Sequence, residues 1–73
     1  MSDVTLHITE EIGRDDREKL RDLMLNVDGV MAADVRDEKP HLMIIEYDPE
    51  IVDARKFIEV SEHQGLHGQL VGL

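Results

Sequence analysis

Apolar and polar residues alternate without a break along Val4-Thr5-Leu6-His7-Ile8-Thr9. A period of two predicts a strand with Val4, Leu6 and Ile8 on a buried face and Thr5, His7 and Thr9 on the other. Past the loop that follows, the period lengthens. Leu20, Leu23, Met24 and Val27 recur at steps of three and four and predict an amphipathic helix running to about Asn26, with Arg17, Lys19, Arg21 and Asp22 on its wet side. Asp15 reads as its N-cap, Glu18 as the partner that completes a capping box, and Asp15–Lys19 as an i,i+4 ion pair. Asp16 puts charge of the favoured sign at the positive end of the helix dipole, and Asp28-Gly29 stops the helix.

Val30 to Arg36 reads as a second strand with Val30, Ala33 and Val35 inward, their odd spacing implying an irregularity near Met31. Asp37-Glu38-Lys39-Pro40 is a polar turn that makes a hairpin with a third strand, His41 to Tyr47. That strand is apolar on both faces, with Met43, Ile45 and Tyr47 one way and Leu42 and Ile44 the other, a pattern that belongs in the middle of a sheet. Asp48-Pro49-Glu50 turns the chain, and Asp53 caps a second helix from about Ala54 to His63 with Phe57, Ile58 and Ser61 inward. Gly65 ends it, and Leu66 to Val71 is a short last strand loosened by Gly68 and Gly72.

The element order predicts an α+β, ferredoxin-like βαββαβ sandwich. Four strands form one antiparallel sheet in the order 4-1-3-2, both helices cover one face, and the other face is open. Its 73 residues are one domain, 1–73. A chain this short buries only about 60% of its unfolded surface, so one two-layer core is the most it can build.

Charge narrows the functions. Seventeen acidic residues against eight basic ones leave −9, which repels phosphate backbones and anionic lipid. Nucleic acid and membrane are therefore not expected partners. The chain has no cysteine, hence no disulfide, thiolate ligand or thiol nucleophile, in keeping with a cytoplasmic protein. The first residues lack the basic and apolar segments of a signal peptide, and no apolar run approaches the roughly 20 residues of a membrane span.

Three motifs in order along the chain carry a resemblance. Asp28-Gly29-Val30, Ile45-Glu46-Tyr47-Asp48-Pro49 and Gly65-Leu66 are similar to the "pGV", "V-x-Y-D-P" and "G-Y" or "G-F" signatures of heavy-metal-associated domains, the copper-chaperone-like family. The resemblance spans nearly the whole chain. It implies a soft-metal site of the form M-x-C-x-x-C in the loop after the first strand. Counting back from Gly29, the C-x-x-C falls on Gly13-Arg14-Asp15-Asp16, so Gly13 and Asp16 stand where the two cysteines would be. Ile12 takes the apolar place of the methionine after a one-residue adjustment. Cu(I) needs thiolate or thioether donors, so the family's metal trafficking does not carry over.

Other chemistry is thin. Glu10, Glu11, Asp15 and Asp16 offer oxygen to a hard cation, but Asp15 and Glu18 are assigned to capping, and calcium wants six or more oxygens. His7 and His67 are expected on the open face close to each other, a pair able to hold Zn²⁺ or Ni²⁺ weakly, above all across a dimer. His63 and His67 are separated by Gly65 and do not share one helical face, and His41 is expected in solvent. Met24 and Met43 have core spacing. Neither Ser2 nor Ser61 has a base and orienter nearby, and Gly13 stands alone rather than in a phosphate loop, so the chain reads as a non-enzyme. Leu42, Ile44 and Val71 leave an apolar patch on the open face, the mark of a partner surface. The leading reading is a protein-interaction or dimerisation module with no cofactor. The alternatives are weak metal binding through His and carboxylate, as in a metal-transport accessory protein, and a small-molecule sensor of the ACT type.

Overall fold

Six elements follow in the predicted order: β1 (Ser2–Ile8), α1 (Arg14–Leu25), β2 (Val30–Arg36), β3 (Lys39–Tyr47), α2 (Arg55–His63) and β4 (Gly68–Val71). The computed structural model describes residues 2–36 and 38–71, and of Arg36 the backbone alone; Asp37 of the predicted turn and Gly72 of the last strand lie outside them. The sheet order is β2-β3-β1-β4, antiparallel throughout, with the apolar β3 and the alternating β1 in the centre.

Alternation decides what each strand buries. Val4, Leu6 and Ile8 of β1 and Met43, Ile45 and Tyr47 of β3 are buried, and Leu20 and Met24 of α1 and Phe57 of α2 close over them. Phe57 meets Tyr47 edge-on, with centroids 5.2 Å apart, a contact worth about 0.5–1.5 kcal/mol beyond its area. Val30, Ala33 and Val35 pack against this core, and the register shifts between Val30 and Ala32, so the irregularity expected near Met31 is present as a bulge. Among the described residues Ser61 is the buried polar one, and its hydroxyl donates to the Ile58 carbonyl at 2.7 Å.

The start of α1 differs from expectation. Gly13, not Asp15, is the N-cap, its carbonyl accepting the Arg17 N–H at 3.0 Å, and no side chain caps the helix. Extended backbone at Gly13 lets the helix begin one residue on, at Arg14, and glycine is itself an acceptable cap. Asp15 and Asp16 thus fall inside the first turn, where they still meet the positive end of the dipole. Glu18, freed from any capping box, pairs with Arg14 at 3.5 Å, and this is the i,i+4 pair formed here. At α2 the cap position falls on Ala54, one residue after the expected Asp53, and the helix begins at Arg55, although the Asp53 carboxylate still binds the first turn. Asp53 Oδ1 accepts the Arg55 N–H at 2.9 Å, and Lys56 and Phe57 bond back to Asp53 and Ala54 in a tight first turn.

Two of the recognised motifs form one structural unit at the end of the sheet away from the β1–α1 loop. Gly29 has a φ of +96°, and a Cβ there would lie 2.9 Å from Ile51 Cγ2 and from Val52 Cγ1. Its carbonyl accepts the Asp48 N–H at 2.8 Å, while Val30 pairs with Tyr47. Asp48 then turns the chain, its Oδ1 accepting the Glu50 N–H at 2.9 Å. These residues lock the α1–β2 and β3–α2 connections together. Their role is architectural.

Candidate functional site

Alternating chain direction brings the β1–α1 loop, the start of β3 and the α2–β4 loop to one end of the sheet. Thr9 N–H bonds to the His67 carbonyl at 3.0 Å and extends the β1–β4 ladder one step past the strands. Glu10 tightens the same join. Its Oε1 accepts the His67 backbone N–H at 2.8 Å and the Thr9 hydroxyl at 3.2 Å, while Oε2 pairs with His67 Nδ1. The donated His67 backbone N–H, followed by the imidazole, holds the Glu10 carboxyl down at about 2. The carboxylate in turn raises the His67 imidazole above its ordinary value.

His67 is therefore occupied by Glu10, and the expected His7–His67 pair is not what this end of the sheet presents. In the register His7 sits opposite Gln69, and Ile8 opposite Gly68, so His67 lies beyond the end of β4. The imidazole beside His7 belongs to His41, with ring centroids 6.0 Å apart. His41, expected in solvent, is half-buried, and its Nδ1 lies 3.0 Å from the Ile8 carbonyl. The signal was in the pairing: with His7 opposite Leu42 in an antiparallel pair, the preceding residue of β3, His41, is carried to Ile8.

Gly13 and Asp16 flank the start of α1, and both are exposed. A hollow of about 220 Å³ beside them is lined by Ile12, Asp16, Lys19, Leu20, Gln64 and Leu66. A Cβ on Gly13 would meet nothing within 4 Å. Asp15, Asp16, Glu10 and Glu11 do not gather, since Glu10 turns to His67 and the aspartates follow the helix. Among the described residues no group of three or more His, Asp or Glu side chains is placed to hold a metal ion.

On the open face, Asp34, Ile44, Thr5 and Val71 form one cross-strand row, and Leu42, His7 and Gln69 form the next. Ile44 is 37% and Val71 41% exposed, while Leu42 is half-buried against its neighbours. The apolar patch exists but is narrow. Sequence reasoning missed two exposed apolar side chains at the opposite end of the molecule, Ile51 and Met31, 61% and 60% exposed. Ile51 beside buried Val52 in a turn, and Met31 on the outer side of the bulge, are the signals that point there. Ile51 and Val52 border an open groove of about 840 Å³ with Val27, Lys56 and Glu59.

No family model and no curated protein matches this sequence. Solved structures do. A copper-binding domain from HMA7, a P-type ATPase, superimposes with a TM-score of 0.88 at 19% identity over 99% of this chain and 96% of that one. Oxidised MerP from Ralstonia metallidurans CH34 gives 0.87 at 17% identity over 97% of each chain. The CopZ metallochaperone gives 0.83 at 24% identity over 93% of this chain and all of that one. The chain has the fold of the heavy-metal-associated domains. Within that fold the resemblance stands without its thiols: the sequence contains no cysteine, and the loop between β1 and α1 offers glycine and carboxylates. Such a donor set does not fit a soft Cu(I) ion. No helix is long and apolar enough to cross a membrane.

Proposed function

We propose that this chain is a small non-catalytic domain that uses the heavy-metal-associated fold for contact with a second copy or another protein, and not for carrying a soft metal ion. One observation carries the reading. At the β1–α1 loop, Gly13 and Asp16 are exposed and thiol-free, and Glu10 and His67 strap the loop to the α2–β4 connection. What remains for the fold to offer is surface, and the open sheet face with Leu42, Ile44 and Val71 is the surface we assign. The reading places the domain in the cytoplasm, where a chain without disulfides is at home.

Ile44→Lys and Leu42→Lys, made separately and together, test the surface. Ile44 is 37% exposed, with cross-strand neighbours Thr5 and Asp34, so its substitution should cost about 1 kcal/mol. We expect the variants to remain folded and to lose self-association or partner capture, with a small drop in melting temperature for Ile44→Lys and a larger one at the half-buried Leu42. Unaltered oligomer size and partner capture would remove that face from the account. A second reading, metal binding through imidazole, is favoured by the His7–His41 pair.

A further inference from the structure

We infer that His7 and His41 form half of a tetrahedral site for a borderline divalent cation of the Zn²⁺ class, the other half being the same pair from a second copy of this chain. The inference rests on the reading of the domain as an interaction module and names what joins the copies.

His41 supplies the first argument. Its Nδ1 lies 3.0 Å from the Ile8 carbonyl oxygen, which can only accept, so Nδ1 carries the proton. In the neutral ring Nε2 is then the nitrogen with a free lone pair. An imidazole held by one nitrogen on a backbone carbonyl is how proteins orient histidine toward a metal. The same bond has a structural use, since it ties the start of β3 to the Ile8 carbonyl just past the last paired residues, His7 and Leu42.

Spacing supplies the second. His7 and His41 centroids are 6.0 Å apart with the rings tilted by 36°. Two imidazoles bound to one tetrahedral ion through bonds of about 2.0–2.1 Å have centroids roughly 5 Å apart, so a small side-chain adjustment brings this pair to chelating distance. Both rings are half-buried, so the sheet restricts their freedom before a metal arrives.

The remaining positions call for a second copy of the chain. Among the described residues no third His, Asp or Glu joins the pair, so one chain leaves two of the four positions open. A second copy presenting the same two imidazoles closes the site about a two-fold axis. Two chains of −9 each repel one another, and a divalent cation at their contact opposes that repulsion. Leu42 lies opposite His7 in the same row and gives the contact an apolar flank.

The test is a titration of the full chain with zinc chloride, followed by light scattering for mass and by NMR for the imidazole signals. We expect one zinc per two chains, a doubling of mass reversed by a chelator, and shifts at His7 and His41. His7→Ala and His41→Ala lose the zinc-dependent dimer, and His67→Ala keeps it. His7→Ala is the decisive variant, because His41 also holds the Ile8 carbonyl and its removal loosens the sheet end. One zinc per chain without a change in mass, no saturable zinc binding, or a zinc dimer that survives His7→Ala would each overturn the inference. Failure of the Ile44→Lys test with zinc-linked, His7-dependent dimerisation intact would instead sink the wider surface assignment and leave this site standing.

Discussion

At the scale of single residues, the contact with the sharpest consequences is Glu10 with His67, which ties two connections 57 positions apart in sequence. Glu10 is depressed to about 2 from an ordinary 4.5, so its contribution to stability is complete above about pH 4.5 and is lost as the pH falls toward 2. His67 is raised above an ordinary 6.5, so its contribution is complete below about pH 6.5 and is lost as the pH rises through its raised value. The pair therefore supports the fold most between about pH 4.5 and 6.5. Both groups are solvent-facing, and salt weakens the effect. NMR titration of the His67 imidazole should give a midpoint raised above the ordinary histidine value, and the midpoint should drop in Glu10→Gln. An unchanged midpoint would show that the two side chains are not coupled in solution. Asp15 teaches the complementary lesson. Its capping chemistry was plain in the sequence, yet Gly13 took the position, because a helix start is fixed by backbone geometry that several neighbouring residues can satisfy.

Among the elements, two glycines hold the connections in place by what they lack. A Cβ on Gly68 would lie 2.8 Å from the Ser61 hydroxyl and 2.9 Å from Leu6 Cδ1, both fully buried. The glycine that weakens β4 as a strand is thus required where β4 crosses α2 and β1. Gly68→Ala should destabilise by about 1–3 kcal/mol, read as a lower denaturant midpoint with an unchanged slope. Gly29→Ala combines a crowded site with a positive φ and should cost at least as much, about 1–3 kcal/mol. Wild-type stability in either variant would mean that the chain does not approach itself so closely there. Phe57→Ala, emptying the place against Tyr47, should cost about 3–5 kcal/mol. Elements of this kind were legible because periodicity reports which face is buried: β1 and β3 bury what their patterns announce, α1 buries Leu20 and Met24 of its stripe but leaves Leu23 half-exposed, and Val30, Ala33 and Val35 disclose the bulge through their spacing. The site end was legible only in part. Which histidine meets which depends on strand register and on side chains reaching across the sheet end, so His67 was drawn to Glu10 and His7 was left beside His41. Neither outcome is encoded in local spacing.

For the molecule as a whole, the motifs behind the resemblance proved to be architecture. Gly29, Val30, Tyr47 and Asp48 join through backbone bonds and close packing at the end away from the β1–α1 loop, which explains how a chain can keep the fold while its loop carries no thiol. The same fold serves copper-binding and metallochaperone domains at 19% and 24% identity, so scaffold and chemistry vary independently here. On the proposed function, the loop occupies the place of a soft-metal loop without holding such an ion. Gly13 has open space for a side chain and Asp16 is exposed, so Gly13→Cys with Asp16→Cys should be accommodated without disturbing the core. The direct test is Cu(I) retention against a strong Cu(I) chelator under reducing conditions, measured side by side for the wild-type chain and this double variant. The account predicts no retained copper in the wild type and close to one ion per chain in the variant. Stoichiometric copper held by the wild-type chain would contradict it.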